Sequence, residues 1–62
     1  MKETKLQKRY RNIMDNHGAQ VFMQHSMNTY HLTHEEGQRI IDSGDVKRIE
    51  WNGAGVIVLH TA

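Results

Sequence analysis

Leu6, Tyr10, Ile13 and Met14 recur at i, i+4, i+7 and i+8. That spacing is one face of a 3.6-residue period and predicts a short amphipathic helix over residues 3–14. Thr4 is placed to cap its start, and Asn16-His17-Gly18 supplies the stop, with Gly18 suited to a left-handed cap. A helix this short is unstable in isolation, so it must dock to persist. A strand at Tyr10–Met14 is the competing reading.

The pattern then shifts toward strand. Val21, Phe22 and Met23, and later Thr29 and Tyr30, favour extended backbone, so residues 19–32 read as a hairpin turning at Ser26-Met27-Asn28. With Met27-Asn28 as the loop, Val21, Met23, Tyr30 and Leu32 share one face. Phe22, Gln24, Thr29 and His31 share the other.

Residues 33–43 are the clearest helix. Thr33-His34-Glu35-Glu36 is a capping box, Ile40 and Ile41 form the buried stripe, and Ser43-Gly44 ends it. Gly37 costs a helix interior on the order of 1 kcal/mol relative to Ala. A close backbone approach to a neighbour would explain its presence.

Residues 46–60 form a second hairpin around Asn52-Gly53, a strong short-range turn signal. A loop of Asn52-Gly53 or of Asn52 to Gly55 gives the same facing. Ile49, Trp51, Val56 and Val58 lie together, and Val46, Arg48, Glu50, Ile57 and Leu59 oppose them. The last strand is then apolar on both faces, which is the signature of a central or doubly covered strand. One helix covers one face. The other needs the N-terminal helix or a second subunit, and a homodimer that extends the sheet or stacks on it is the expectation.

The fold class is therefore α+β. An N-terminal helix precedes β-β-α-β-β, with a small, mainly antiparallel sheet and one helix packed on a face. The whole of 1–62 is one domain, a basic helical arm at 1–16 and a hairpin-helix-hairpin body at 19–62. The expected core is Ile40, Ile41, Ile49, Trp51, Val56 and Val58, with Val21, Met23, Tyr30 and Leu32 beside them.

Composition narrows the possibilities. A chain of 62 residues buries only roughly 60% of the surface that its unfolded form exposes. With no Cys it has neither disulfides nor thiolate zinc sites. Packing, a His/carboxylate metal site or self-association must compensate. The polar N-terminus has no apolar h-region, and the longest aliphatic run, Val56 to Leu59, is far short of a membrane span. A cytoplasmic location with no membrane partner is expected. The net charge of +1 conceals an asymmetry, because residues 1–11 carry +4 and residues 12–62 carry −3.

Candidate chemistry adds little catalysis. His25, His31 and His34 are the clustered histidines and could supply imidazole ligands, but the hairpin register points His25 and His31 to opposite faces. Solvated surface histidines are the expected reading, with no metal and no cofactor. The Asn52-Gly53-Ala54-Gly55 loop lies between strands and lacks a Lys or Ser/Thr, so it is a hairpin loop rather than a phosphate cradle. Ser26 and Ser43 have no nucleophile-elbow context, and Glu35-Glu36 are adjacent on a helix and do not face each other. No enzyme activity and no small-molecule substrate are expected.

Two binding readings remain. The first is a protein-binding module, since Met14, Met23, Met27, Phe22, Tyr10, Tyr30 and Trp51 are many adaptable or aromatic groups for so small a core. Phe22, Met27, Ile57, Leu59, Glu35 and Glu36 are the candidate interface. The partners expected are a second copy and an unidentified protein, which the chain binds and modulates, with inhibition as one form of that modulation. The second reading is a nucleic-acid-binding regulator. Lys5, Lys8, Arg9 and Arg11 would contact phosphates, with Tyr10 stacking on a base. Short, Cys-free and built hairpin-helix-hairpin, the chain resembles accessory proteins of phages and mobile elements in style, a likeness that carries no motif.

Overall fold

The computed structural model describes residues 3–61. Helix α1 spans Lys5–His17, strands β1 and β2 span Gln20–His25 and Asn28–Leu32, helix α2 spans His34–Ser43, and β3 and β4 span Arg48–Trp51 and Val56–His60. The predicted element order is the observed one. The four strands form one sheet in the order β2-β1-β4-β3. β1 pairs antiparallel with β2, β4 pairs antiparallel with β3, and the two central strands β1 and β4 run parallel. As the doubly apolar pattern implied, β4 is central.

Both helices begin the same way. Thr4 accepts from the Gln7 N–H at 3.1 Å, and the Thr4 N–H donates to Gln7 Oε1 at 2.7 Å. Thr33 and Glu36 repeat this reciprocal box at 3.1 and 2.8 Å. It satisfies two N–H groups that a helix start otherwise leaves unpaired. Gly18 and Gly44 end the helices in left-handed conformation, φ 62° and 86°.

The helices pack against each other and on the same face of the sheet. Tyr10 of α1 is fully buried, and its hydroxyl donates to the His34 carbonyl of α2 at 2.8 Å. Gly37 lets α2 approach. A Cβ there would lie 2.5 Å from Tyr10 Oη and 2.9 Å from Val21 Cγ1. The close approach inferred from the helical glycine is therefore real, and Tyr10 and Val21 are its neighbours.

The second hairpin departs from expectation by one residue. Trp51 pairs with Ile57 and Ile49 with Leu59, so the loop between Asn52 and Val56 holds three residues. Asn52 Oδ1 accepts from the Ala54 and Val56 N–H groups at 2.8 and 3.1 Å. Gly53 and Gly55, at φ 76° and 109°, take positions that other residues rarely adopt. An odd loop inverts the facing that an even loop would give. Ile57 and Leu59, not Val56 and Val58, join Ile49 and Trp51 under the helices.

The core is accordingly Tyr10, Ile13, Ala19, Val21, Ile41, Val46, Ile49, Ile57 and Leu59, with Leu6, Met14, Leu32, Ile40 and Trp51 packed around it. Of the expected core, Val56 and Val58 are half-buried on the opposite side of the sheet, and Tyr30 is exposed. No described helix is long and apolar enough to cross a membrane.

Candidate interaction surface

With both helices on one face, the other face of the sheet is left open. The registers define its rows. His31, Phe22, Val58 and Glu50 line up across all four strands, and Thr29, Gln24, His60 and Arg48 make the next row. Gln20 beside Val56 starts a third. Phe22, Val56 and Val58 are half-buried and form an apolar centre. The His31 ring lies 5.0 Å from that of Phe22. At the far side the Glu50 carboxylate meets His60 Nε2 at 2.9 Å and the Arg48 guanidinium at 3.9 Å. The Arg48–Glu50 pair is too exposed to contribute much stability, but with the half-buried His60 it sets a polar border around the apolar middle.

The expected interface residues separate. Phe22 is on the open face, as the first hairpin's facing required. Met27, at the tip of that hairpin, is 94% exposed. Ile57 and Leu59 are fully buried beneath the helices, so neither contributes to a surface. The one-residue change in loop length puts Val56 and Val58 in their place. Glu35 and Glu36 are exposed on the first turn of α2. Glu36 is already committed to the capping box, and the hydrogen bonds from Thr33 hold its carboxyl below the usual carboxylate range.

The basic arm also divides. Lys5, Lys8 and Arg9 are exposed and take part in no ion pair among the described residues. Arg11 is paired with Glu3 at 2.7 Å. Tyr10 is no stacking platform, because its ring is buried between the helices and burial pushes its hydroxyl up to about 12. Lys2, which completes the arm's charge, lies outside the described residues.

The histidines do not converge. His25 shares a 2.9 Å hydrogen bond with Thr61 Oγ1, His31 is on the open face beside Phe22, and His34 is beside Tyr10 at the start of α2. Among the described residues no three His, Asp or Glu side chains are grouped to hold an ion. A hollow of about 360 Å³ lies past the end of α2, lined by Met23, His25, Ile40, Asp45, Lys47 and Thr61. Its volume is at the small end for ligand pockets.

Sequence reasoning missed Val56, Val58 and Tyr30 as surface residues. For Val56 and Val58 the two glycines flanking Ala54 were the available signal, since a three-residue loop needs residues that accept positive φ. Comparison of the chain with protein-family profiles, curated proteins and solved structures gives no match.

Proposed function

We propose that the chain is a small non-enzymatic interaction protein that binds and modulates a protein partner through the open face of its sheet, and acts as a homodimer. The observation that carries this reading is the packing of both helices on one side of the sheet. That packing leaves Phe22, Val56 and Val58 as an apolar centre that neither helix covers among the described residues. An apolar middle within a polar rim is the anatomy of a protein-protein contact. The occupant it suits is a folded protein with its own apolar patch. Glu50 on the face disfavours a polyanion there. The Cys-free composition suits a reducing cytoplasm, and a regulatory or inhibitory accessory role is in keeping with the size.

Capture from a lysate of the cells that make the protein tests the reading, with nuclease treatment as the control. The partner is expected to survive nuclease and to be retained by a variant charge-reversed at Lys5, Lys8 and Arg9. The double variant Phe22→Ser/Val58→Thr is expected to lose it while keeping the wild-type circular dichroism. Loss of the partner on nuclease treatment overturns the reading.

The unpaired, exposed Lys5, Lys8 and Arg9 favour a second reading, nucleic-acid binding by α1. At i, i+3 and i+4 they form one stripe, but they act without Tyr10. That reading predicts binding to DNA or RNA that weakens steeply with salt and disappears on charge reversal of the stripe.

A further inference from the structure

We propose that two copies of the chain associate through β2, edge to edge and antiparallel about a two-fold axis at Tyr30, to make one continuous eight-stranded sheet. This rests on the homodimeric part of the function proposed above and is independent of what the open face binds.

The two edges of the sheet differ in how they are protected. An edge strand presents a row of unpaired backbone groups, and proteins that stay apart block such edges with charges, proline, bulges or short length. β3 is short, four residues, is preceded by Lys47 and carries Arg48 and Glu50. β2 has none of these devices. Its sequence, Asn28-Thr29-Tyr30-His31-Leu32, has no Asp, Glu, Lys or Arg and no proline, and its register with β1 runs unbroken from His25↔Asn28 to Val21↔Leu32.

β2 is also bare on both sides. Its first four residues are exposed and only Leu32 is partly covered, because α2 covers the Leu32 end and leaves the outer half of the hairpin projecting. Tyr30 and Met27 are the large hydrophobic side chains left exposed in the described chain, at 46% and 94%, and both belong to this hairpin. Surface apolar groups gathered on one uncharged edge mark a contact site rather than scattered exposure.

A second copy is the occupant that fits this edge. With the axis at Tyr30, the ring meets its own symmetry mate, Thr29 faces His31 of the other copy, and Asn28 faces Leu32. All partners then share a face, as strand pairing requires. The strand offers an aromatic cross-strand pair and no like-charge contact, both favourable for self-pairing. The contact is reciprocal, as a two-fold demands. A five-residue strand pair is at the small end of specific interfaces, so the dimer should depend on concentration.

The test is mass by light scattering over a dilution series for three proteins. Wild type should rise toward twice the 7.2 kDa chain mass as concentration increases. Tyr30→Lys, which places a charge on the edge without touching the open face, should stay at the monomer mass with an unchanged circular dichroism spectrum. Phe22→Ser/Val58→Thr should still dimerise. The chain has no Cys, so Tyr30→Cys gives a second measurement. Under mild oxidation it should cross-link to a covalent dimer much faster than Asn28→Cys, whose partner across the axis is Leu32. Four results would overturn the proposal. They are a wild type that stays monomeric throughout, dimerisation unaffected by Tyr30→Lys, dimerisation lost only in the open-face variant, or equal cross-linking at positions 28 and 30. Loss in the open-face variant alone would assign the dimer to stacked faces and make a second copy, not a different protein, the occupant of the open face. A wild type that dimerises through the edge but captures no nuclease-resistant partner would overturn the partner-binding reading and leave the edge dimer standing.

Discussion

Three residues show how local chemistry sets the packing of this molecule. Gly37 is the clearest. Replacing it by Ala would gain on the order of 1 kcal/mol of helix propensity. The new methyl would sit 2.5 Å from a Tyr10 hydroxyl bonded to His34 and 2.9 Å from a buried Val21 methyl. Neither neighbour has room to swing away, and overpacking of this kind costs about 1–3 kcal/mol. Gly37→Ala should therefore destabilise the fold, read as a lower denaturation midpoint, whereas propensity alone predicts the opposite. Tyr10 adds a pH dependence. Burial pushes its hydroxyl from 10.0 up to about 12, so the folded state holds the proton where the unfolded chain has lost it. The contribution is complete below pH 10 and disappears as pH rises toward 12. Tyr10→Phe should flatten the stability profile across that window, and a profile unchanged by the substitution would contradict the burial. Ser26, at φ 58°, is the non-glycine residue with positive φ among those described. The left-handed region costs such a residue about 1–2 kcal/mol, and glycine returns about 0.5–1 kcal/mol of that as chain entropy. Ser26→Gly should stabilise the first hairpin by about 0.5 kcal/mol, measured by chemical denaturation.

At the scale of elements, both helices and the first hairpin were legible because their signals are local. Thr33 to Glu36 and Gly44 bound α2, and Leu6, Tyr10 and Ile13 phase α1. The first hairpin turns at Ser26-Met27 rather than Met27-Asn28, but both loops hold two residues, so Val21, Met23, Tyr30 and Leu32 face as expected. The second hairpin was not legible in this way. Its facing depends on whether the loop count is odd or even, and Asn52-Gly53 is compatible with either. What decides is the Asn52 side chain bonded to two backbone N–H groups, with Gly55 at φ 109°. That arrangement moved Ile57 and Leu59 from candidate surface to core and Val56 and Val58 the other way. The position of α1 was equally out of reach, since its amphipathic stripe says that it docks but not on which face. The two capping boxes make a matched pair, with Gln7 in α1 where α2 has Glu36. The Glu36 carboxyl is held below 4.5 by Thr33, so its contribution is present above that pH and is lost as pH falls through the lowered value. Glu36→Gln should keep α2 intact, as Gln7 does in α1, and remove this acid dependence of stability.

For the whole molecule, the two sides of the sheet have different lives. The helix side holds the core and, on α1, the exposed cations Lys5, Lys8 and Arg9. The other side holds Phe22, Val56 and Val58 within a border of His31, Glu50, Arg48 and His60. A chain of this size has little apolar surface to spare. Leaving part of it uncovered is costly alone and reasonable when a partner supplies the cover. The same economy applies to β2, whose uncharged edge suits a second copy. Which side of β4 is open decides where a partner can bind, and side-chain methyl relaxation by a soluble paramagnetic probe, in dilute protein, reads that directly. The methyls of Val56 and Val58 should relax strongly while those of Ile57 and Leu59 are spared. If Val56 and Val58 are protected and Ile57 and Leu59 respond to the probe, the register of the second hairpin is inverted and the proposed interaction surface does not exist.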